Sequence, residues 1–343
     1  MHFQPDEDQQ AFLEGLGRLV DDMGGGALVR KGLATRSGVD DELWTLLGDV
    51  GVLGIAAEER WGGQGAGWLD ACLCAEVLGM WLIDGPVLFH QLAVAAIDRF
   101  ADETAKERWL PGLCAGSQRA TFSIDERDGA DVLRSVPFAD GADVVVYAGN
   151  EGALLLETAG SEIVPAQPLD ASWRLADVSA EEAAKRPFEN GNVTRLLGNM
   201  AHAAMACAQT GLAERCLQMS VSYAIDRKQF GVPIGSFQAV QHHCADMLVQ
   251  VELARSAAWY AAWTIDNDKG ERDEAAVIAS QVCGDAAFFN AGTAIQVHGG
   301  IGFTWEHDCH LLFKRAETTR RLFRDRTSIP ARLRAAAGVA TSL

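Results

Sequence analysis

The sequence predicts a mainly α protein in three parts: an all-helical N-terminal domain over residues 1–118, a small β-domain over 119–188 and a four-helix bundle over 189–343. Three observations carry that expectation. Apolar residues recur at three- and four-residue intervals up to about residue 118, short β-type runs bounded by glycine turns follow Ala120, and long helical periodicity resumes at Asn192.

In the first part, Phe12, Leu16, Leu19, Val20 and Met23 form one apolar stripe, with Asp6, Glu7 and Asp8 in the opening turn where carboxylates complement the helix dipole. Further helices are expected at Glu42 to Asp49, at Trp68 to Met80 and around Leu88 to Phe100, separated by glycine-rich turns. In the second part, Asp143 to Tyr147, Ala153 to Leu156 and Glu162 to Val164 read as strands. The first two are joined by Gly149-Asn150-Glu151-Gly152, a credible hairpin turn. In the third part, one stripe runs from Leu196 to Gly211, a second from Val240 to Ala254 and a third from Ala275 to Phe289. A last helix near Cys309 to Phe323 completes a four-helix bundle.

Composition narrows the function. The chain has 343 residues, 48% of them hydrophobic and 22% charged, which is ordinary for a soluble folded protein with two or three cores. Lys plus Arg number 29 against 47 Asp plus Glu, a net charge of −18 with no basic tract, so nucleic acid and anionic membrane surfaces are poor partners. No stretch approaches the roughly 18 uninterrupted apolar residues of a membrane span. The acidic start Met1 to Asp8 lacks the apolar segment of a signal peptide, which places the chain in the cytoplasm by default. The eight cysteines are scattered through apolar helical patterns and read as buried free thiols. Cys72 and Cys74 have no second close pair, so no metal site is expected. His242, His243, His298, His307 and His310 read as packing or surface residues, without a convergent carboxylate pattern.

Two segments carry chemistry. The first is Asp226-Arg227-Lys228-Gln229-Phe230-Gly231-Val232-Pro233-Ile234, running into Ser236-Phe237-Gln238; the second is Gln296-Val297-His298-Gly299-Gly300-Ile301-Gly302-Phe303. A guanidinium and glutamine amides beside a turn forced by Gly and Pro can hold a pyrophosphate and its adenosine, and a Gly-Gly pair lets backbone approach a phosphate closely. Taken alone, Arg227 would be a cation at a helix C-terminus and Gly299-Gly300 a helix-ending loop. Together they point to a dinucleotide.

These segments resemble the signature of the acyl-CoA dehydrogenase family, flavoenzymes that remove two hydrogens across the Cα–Cβ bond of an acyl-CoA thioester. Leu46-Leu47-Gly48 through Gly51-Val52-Leu53-Gly54, with Trp61-Gly62-Gly63-Gln64-Gly65, resemble the family's N-terminal helical pattern. The resemblance therefore runs from about residue 40 to residue 325. It implies the family's three-domain fold with a truncated middle β-domain, and FAD as cofactor. Arg227 would pair with the pyrophosphate, Phe230 would pack near the adenosine and Gln238 would hydrogen-bond the cofactor, with Gln229 beside them. Gln296, Val297, His298, Gly299 and Gly300 would present backbone and one side-chain amide to it.

The resemblance also exposes what is missing. Where the family offers a loop like Thr-Glu-Pro with a Gly-Ser-Asp partner to the flavin and thioester, this chain has Phe122-Ser123-Ile124-Asp125-Glu126-Arg127-Asp128-Gly129-Ala130-Asp131. The family's catalytic glutamate falls on Phe323 at one location and on Ala201 at the other, and neither takes a proton. Glu306 and Glu317 match neither location; Asp325 is the one candidate substitute base, a carboxylate whose pKa an acyl group could raise by desolvation. The expectation is a subunit of a heteromeric enzyme, of the kind that shortens steroid side chains, in which a full-length acyl-CoA dehydrogenase subunit supplies the base, as in a heterotetramer. An acyl-CoA would be the substrate and electron-transfer flavoprotein the acceptor. The alternatives are a self-sufficient homomeric flavoenzyme using Asp325 and a non-catalytic structural subunit.

Overall fold

The structure, a computed structural model, describes residues 4–125, 132–149, 152–179, 185–188, 193–267 and 270–322. Helix α1 (Glu7–Asp22) begins where the sequence places it. The Asp6 carboxylate accepts from the Gln9 N–H at 2.8 Å while the Gln9 side chain accepts from the Asp6 N–H at 2.9 Å, a reciprocal cap. Next come α2 (Ala27–Gly32), α3 (Asp41–Asp49), α4 (Trp68–Gly79), α5 (Asp84–Phe100) and α6 (Glu103–Cys114). Two of these have no counterpart in the periodicity. The six residues of α2 are too few to show a stripe, and α6 mixes charges with Pro111. Asp102 caps α6 by accepting from the Ala105 N–H at 2.7 Å.

The middle segment forms two sheets where the sequence shows three strand-like runs. β1 (Ala120–Asp125) pairs in parallel with β3 (Val144–Gly149); β3 forms a hairpin with β4 (Gly152–Glu157), Gly149 opposite Gly152; and β7 (Lys185–Pro187) adds to β4. β2 (Val132–Pro137), β6 (Leu175–Ser179) and β5 (Glu162–Ala166) make the second sheet, in that order. β1, β2, β6 and β7 have no counterpart among those runs: β1 carries polar residues at Ser123 and Asp125, and the others are interrupted by charge or proline. Against α5 the sheets close on a ring cluster, with Trp173 edge-on to Phe89 at 5.4 Å and Phe138 within 6.0 Å of both.

The four C-terminal helices are α7 (Val193–Asp226), α8 (Gln238–Asp266), α9 (Arg272–His298) and α10 (Cys309–Leu322). From Leu197 to Ala213, α7 is buried on every face, so its apolar residues surround the helix. It lies against α4 so closely that a methyl on Gly211 would sit 1.9 Å from the Glu76 carbonyl oxygen. Among the described residues, no helix is long and apolar enough to cross a membrane.

Two buried polar devices tie the segments together. Arg315 of α10 donates to Asp170 at 2.7 Å, to the Ser172 hydroxyl at 2.8 Å, to the Leu82 carbonyl at 3.1 Å and to Asp84. One guanidinium thus joins α10, the start of α5 and the loop between β5 and β6. His90 of α5 faces the Leu113 carbonyl with Nε2 at 3.1 Å and accepts from the Ala120 N–H at Nδ1, also at 3.1 Å. A carbonyl only accepts, so Nε2 carries the proton and the ring is neutral.

Burial pushes the His90 pKa down to about 4, with the charge of Arg119 acting in the same direction. An unfolded histidine titrates near 6.5, so acid protonates the unfolded chain first and stability falls as pH drops from about 6.5 toward 4. Between pH 7 and pH 5 this group should remove about 2 kcal/mol. Urea unfolding of the wild type against His90→Gln at both pH values checks it: the variant should lose less stability on acidification, and equal losses would contradict the assignment.

Candidate cofactor site

At its C-terminus α7 ends one hydrogen bond late, with the Arg227 N–H donating to the Tyr223 carbonyl at 2.8 Å. The chain then reverses through a two-residue hairpin between β8 (Lys228–Gln229) and β9 (Val232–Pro233). Both turn residues have positive φ, 53° at Phe230 and 83° at Gly231, the hand that suits the twist of a tight hairpin. Glycine adopts that region freely; phenylalanine does so under strain. The Phe230 ring is 94% exposed and lies edge-on to Phe237 with ring centroids 6.3 Å apart. A strained backbone that pushes an apolar ring into water is the arrangement of a contact residue. The Ile234 N–H closes the hairpin on the Arg227 carbonyl at 2.8 Å, and Gln238 opens α8.

The second predicted segment comes to the same end of the bundle. Tyr223 of α7 stacks on His298, the last residue of α9, with ring centroids 4.4 Å apart. Arg227 lies one helical turn beyond Tyr223, and Gly299 and Gly300 directly follow His298, so the stack places both segments at the same end of the bundle. Gly299 has φ 65° and ends α9, as a glycine there should. Gly300 has no positive φ, and a methyl placed on it would meet nothing within 4 Å. Among the described residues nothing fills the space a side chain would take, so the backbone here is open to close approach from outside.

The predicted set divides in two. Arg227, Gln229, Phe230, Gln238, Gln296, Gly299 and Gly300 are exposed, whereas Val297 and His298 are buried. Arg227 has no ion-pair partner among the described residues. The Val297 and His298 side chains are turned inward, so their backbone is what remains for a ligand. His298 donates from Nδ1 to the Ala294 carbonyl at 2.8 Å, and burial pushes its pKa down, which keeps it neutral.

Ala201 lies inside α7, 1% exposed. Phe323 and Asp325 lie outside the described residues, as do residues 126–131 of the loop where the flavin contact was sought. Just before that loop, Phe122 and Ser123 are buried and Ile124 packs within 3.2 Å of where a methyl on Gly198 of α7 would stand.

Spacing also hid one grouping. The ring nitrogens of His298 and His307 and the Cys309 Sγ lie within 4.8 Å of one another. They come from the end of α9, the connecting loop and the start of α10, so no local motif announces them. Burial, with Asp308 adding to it, pushes the Cys309 thiol up to about 12.

Comparison with known proteins agrees with this geometry. The family description "Acyl-CoA dehydrogenase, N-terminal domain" matches residues 6–117, and "Acyl-CoA dehydrogenase, C-terminal domain" matches residues 193–322. The chain is 34% identical over 330 residues to acyl-CoA dehydrogenase IpdE2 of Mycobacterium tuberculosis, covering 96% of this chain and 97% of that protein. It is 33% identical over 291 residues to acyl-CoA dehydrogenase FadE34 of the same organism, covering 79% of this chain but 38% of the longer relative. Among solved structures, a chain of the ChsE4–ChsE5 complex from Mycobacterium tuberculosis superposes with a TM-score of 0.88 at 25% identity, covering 100% of both chains. With both flanking domains matched and a relative of the same length aligned nearly end to end, this chain is a member of the acyl-CoA dehydrogenase family.

Proposed function

We propose that this chain is one subunit of a heteromeric, FAD-dependent acyl-CoA dehydrogenase, holding the nucleotide half of FAD while a full-length partner subunit supplies the base. The carrying observation is the open end of the bundle: an exposed Arg227 with no ion-pair partner among the described residues, at the same end as the exposed glycine loop of Gly299 and Gly300. The same C-terminal domain also carries most of the exposed apolar side chains. Of the large hydrophobic residues exposed among those described, all except Phe12, Val50, Val164 and Leu169 belong to residues 221–305. Such a surface marks an interface. The name of the ChsE4–ChsE5 complex and the greater length of FadE34, of which this chain spans 38%, fit a unit that works beside a second one.

The residues present fit the group the family implies. Arg227 would neutralise the pyrophosphate, the Gln238 and Gln296 amides would hydrogen-bond the nucleotide with Gln229 at the rim, and Phe230 would cover the adenosine. The Gly299-Gly300 backbone would lie against a phosphate. FAD, when bound, supplies the acceptor for the hydride leaving Cβ. The proton leaving Cα needs a carboxylate, and Ala201 offers none; in this reading the partner holds it. A bulky acyl group of the steroid side-chain kind is the substrate, electron-transfer flavoprotein takes the electrons, and the assembly is a cytoplasmic heterotetramer.

Co-expression with a full-length homologue tests the assignment. The complex should carry flavin and oxidise acyl-CoA, and Arg227→Ala with Gln296→Ala should weaken FAD binding about 100-fold or more, from one charge-assisted and one neutral hydrogen bond lost. A complex that keeps its flavin in the double variant contradicts the anchoring role. A yellow, active chain expressed by itself that dies on Asp325→Asn establishes the self-sufficient alternative.

A further inference from the structure

We propose that His298, His307 and Cys309 form a binding site for a borderline-soft divalent cation of the zinc class, with water from the adjoining cleft as fourth ligand. Two imidazoles and one thiolate are the donor set such an ion selects, whereas calcium and magnesium take oxygen. Tetrahedral coordination at zinc sets its donor atoms about 3.3–3.8 Å apart, so donors already within 4.8 Å converge with roughly 1 Å of side-chain rotation.

Three further observations support a built site. His298 donates from Nδ1 to the Ala294 carbonyl at 2.8 Å, the outer-shell bond that fixes a ligating histidine in the tautomer whose Nε2 lone pair is free. Its ring plane is held by the stack on Tyr223 at 4.4 Å, with the His307 ring 4.5 Å away on the approach side. Both histidines line a cleft of about 430 Å³ with Tyr223, Asp226, Arg215 and Met219, which gives an ion a path in and room for a coordinated water. Cys309 is buried behind them, its Sγ 3.6 Å from His298 Nδ1.

Binding is a proton exchange: the metal–sulfur bond forms as the thiol proton leaves to solvent through the cleft, and His307 gives up its 3.3 Å contact with the Cys309 N–H where that nitrogen turns to the ion. Metal held here would pin the end of α9 to the start of α10. The loop between them carries Gly299 and Gly300, so a bound ion would fix that loop whether or not FAD is present.

Cobalt(II) is the probe. The full chain, stripped with a chelator and titrated with Co²⁺, should bind one equivalent and develop a thiolate-to-cobalt charge-transfer band in the near ultraviolet. Zn²⁺ should displace it. Cys309→Ser should abolish the band and weaken Zn²⁺ binding, measured against a chromophoric chelator, more than about 100-fold, beyond what loss of an outer-shell partner does. His307→Gln, a change at a half-buried loop position, should weaken it comparably with an unchanged circular dichroism spectrum. Cys244→Ser, which removes the half-buried thiol, should leave the band intact. No band at one equivalent, or a band that survives Cys309→Ser, overturns the site. Neither reading depends on flavin or activity.

Discussion

Arg315→Leu lowers the unfolding free energy by about 3–5 kcal/mol, the largest effect expected of any single substitution here. Arg315 and its two acidic partners are almost fully enclosed, with side-chain exposures of 2%, 3% at Asp84 and 0% at Asp170. Burial raises the Asp84 pKa, and the guanidinium is the chief force opposing that rise. Without it, both carboxylates stay buried beside each other with no counter-charge. Asp84, whose pKa burial already raises, escapes by taking up a proton, and that gives the prediction its signature. A folded-state carboxyl pKa raised above the unfolded value near 3.9 makes the variant recover stability as pH falls. The gap between wild type and Arg315→Leu in urea unfolding should therefore be wider at pH 8 than at pH 5. Adding Asp84→Asn and Asp170→Asn should recover much of the loss, because the penalty lies in unpaired charge. A gap below about 1 kcal/mol would mean that the charges are effectively solvated.

Gly211→Ala should remove about 3 kcal/mol, the upper end of the usual overpacking range. The new methyl would stand 1.9 Å from the Glu76 carbonyl oxygen and 3.1 Å from the Met80 nitrogen, both backbone atoms that no rotamer change can move aside. Gly79 shows the same constraint from the other helix, with a methyl 2.3 Å from the Ala208 carbonyl oxygen. A shift of α4 to make room would also strain the Glu76 carboxylate's bonds to α8, from Arg255 at 2.9 Å and from the Trp259 ring N–H at 2.6 Å. Gly15→Ala is the control. Its methyl meets nothing within 4 Å, so helix propensity acts unopposed and the variant should gain up to about 1 kcal/mol. Thermal and urea unfolding of the two variants should move in opposite directions; a neutral Gly211→Ala would refute the contact.

What could be read in the chain follows from how local each signal is. Asp6 and Gln9 announce the start of α1 because a cap is satisfied within four residues. The long bundle helices show because their apolar positions repeat over many turns, and Gly149 faces Gly152 because a two-residue hairpin is a local choice. By contrast, α6 is carried by a cap and by packing more than by any stripe, and β7 exists through its pairing with β4. At the site, Arg227 and Gly299-Gly300 are readable as a sequence pattern, but their meeting depends on Tyr223 and His298, which belong to different helices. The inward turn of Val297 and His298 likewise follows from packing at the end of α9. Asp84, Asp170 and Arg315 lie too far apart in sequence for any spacing rule to join them.

The bare Phe230 ring and the greasy stretch around it also bear on how a cell would manage the protein. If the chain works beside a second subunit, as proposed, a copy synthesised without that subunit keeps those side chains in water, where they are a substrate for chaperones and proteases and a seed for clumping. Steady-state abundance would then follow whichever of the two polypeptides is scarcer, so linked production of both from neighbouring coding sequences would be advantageous.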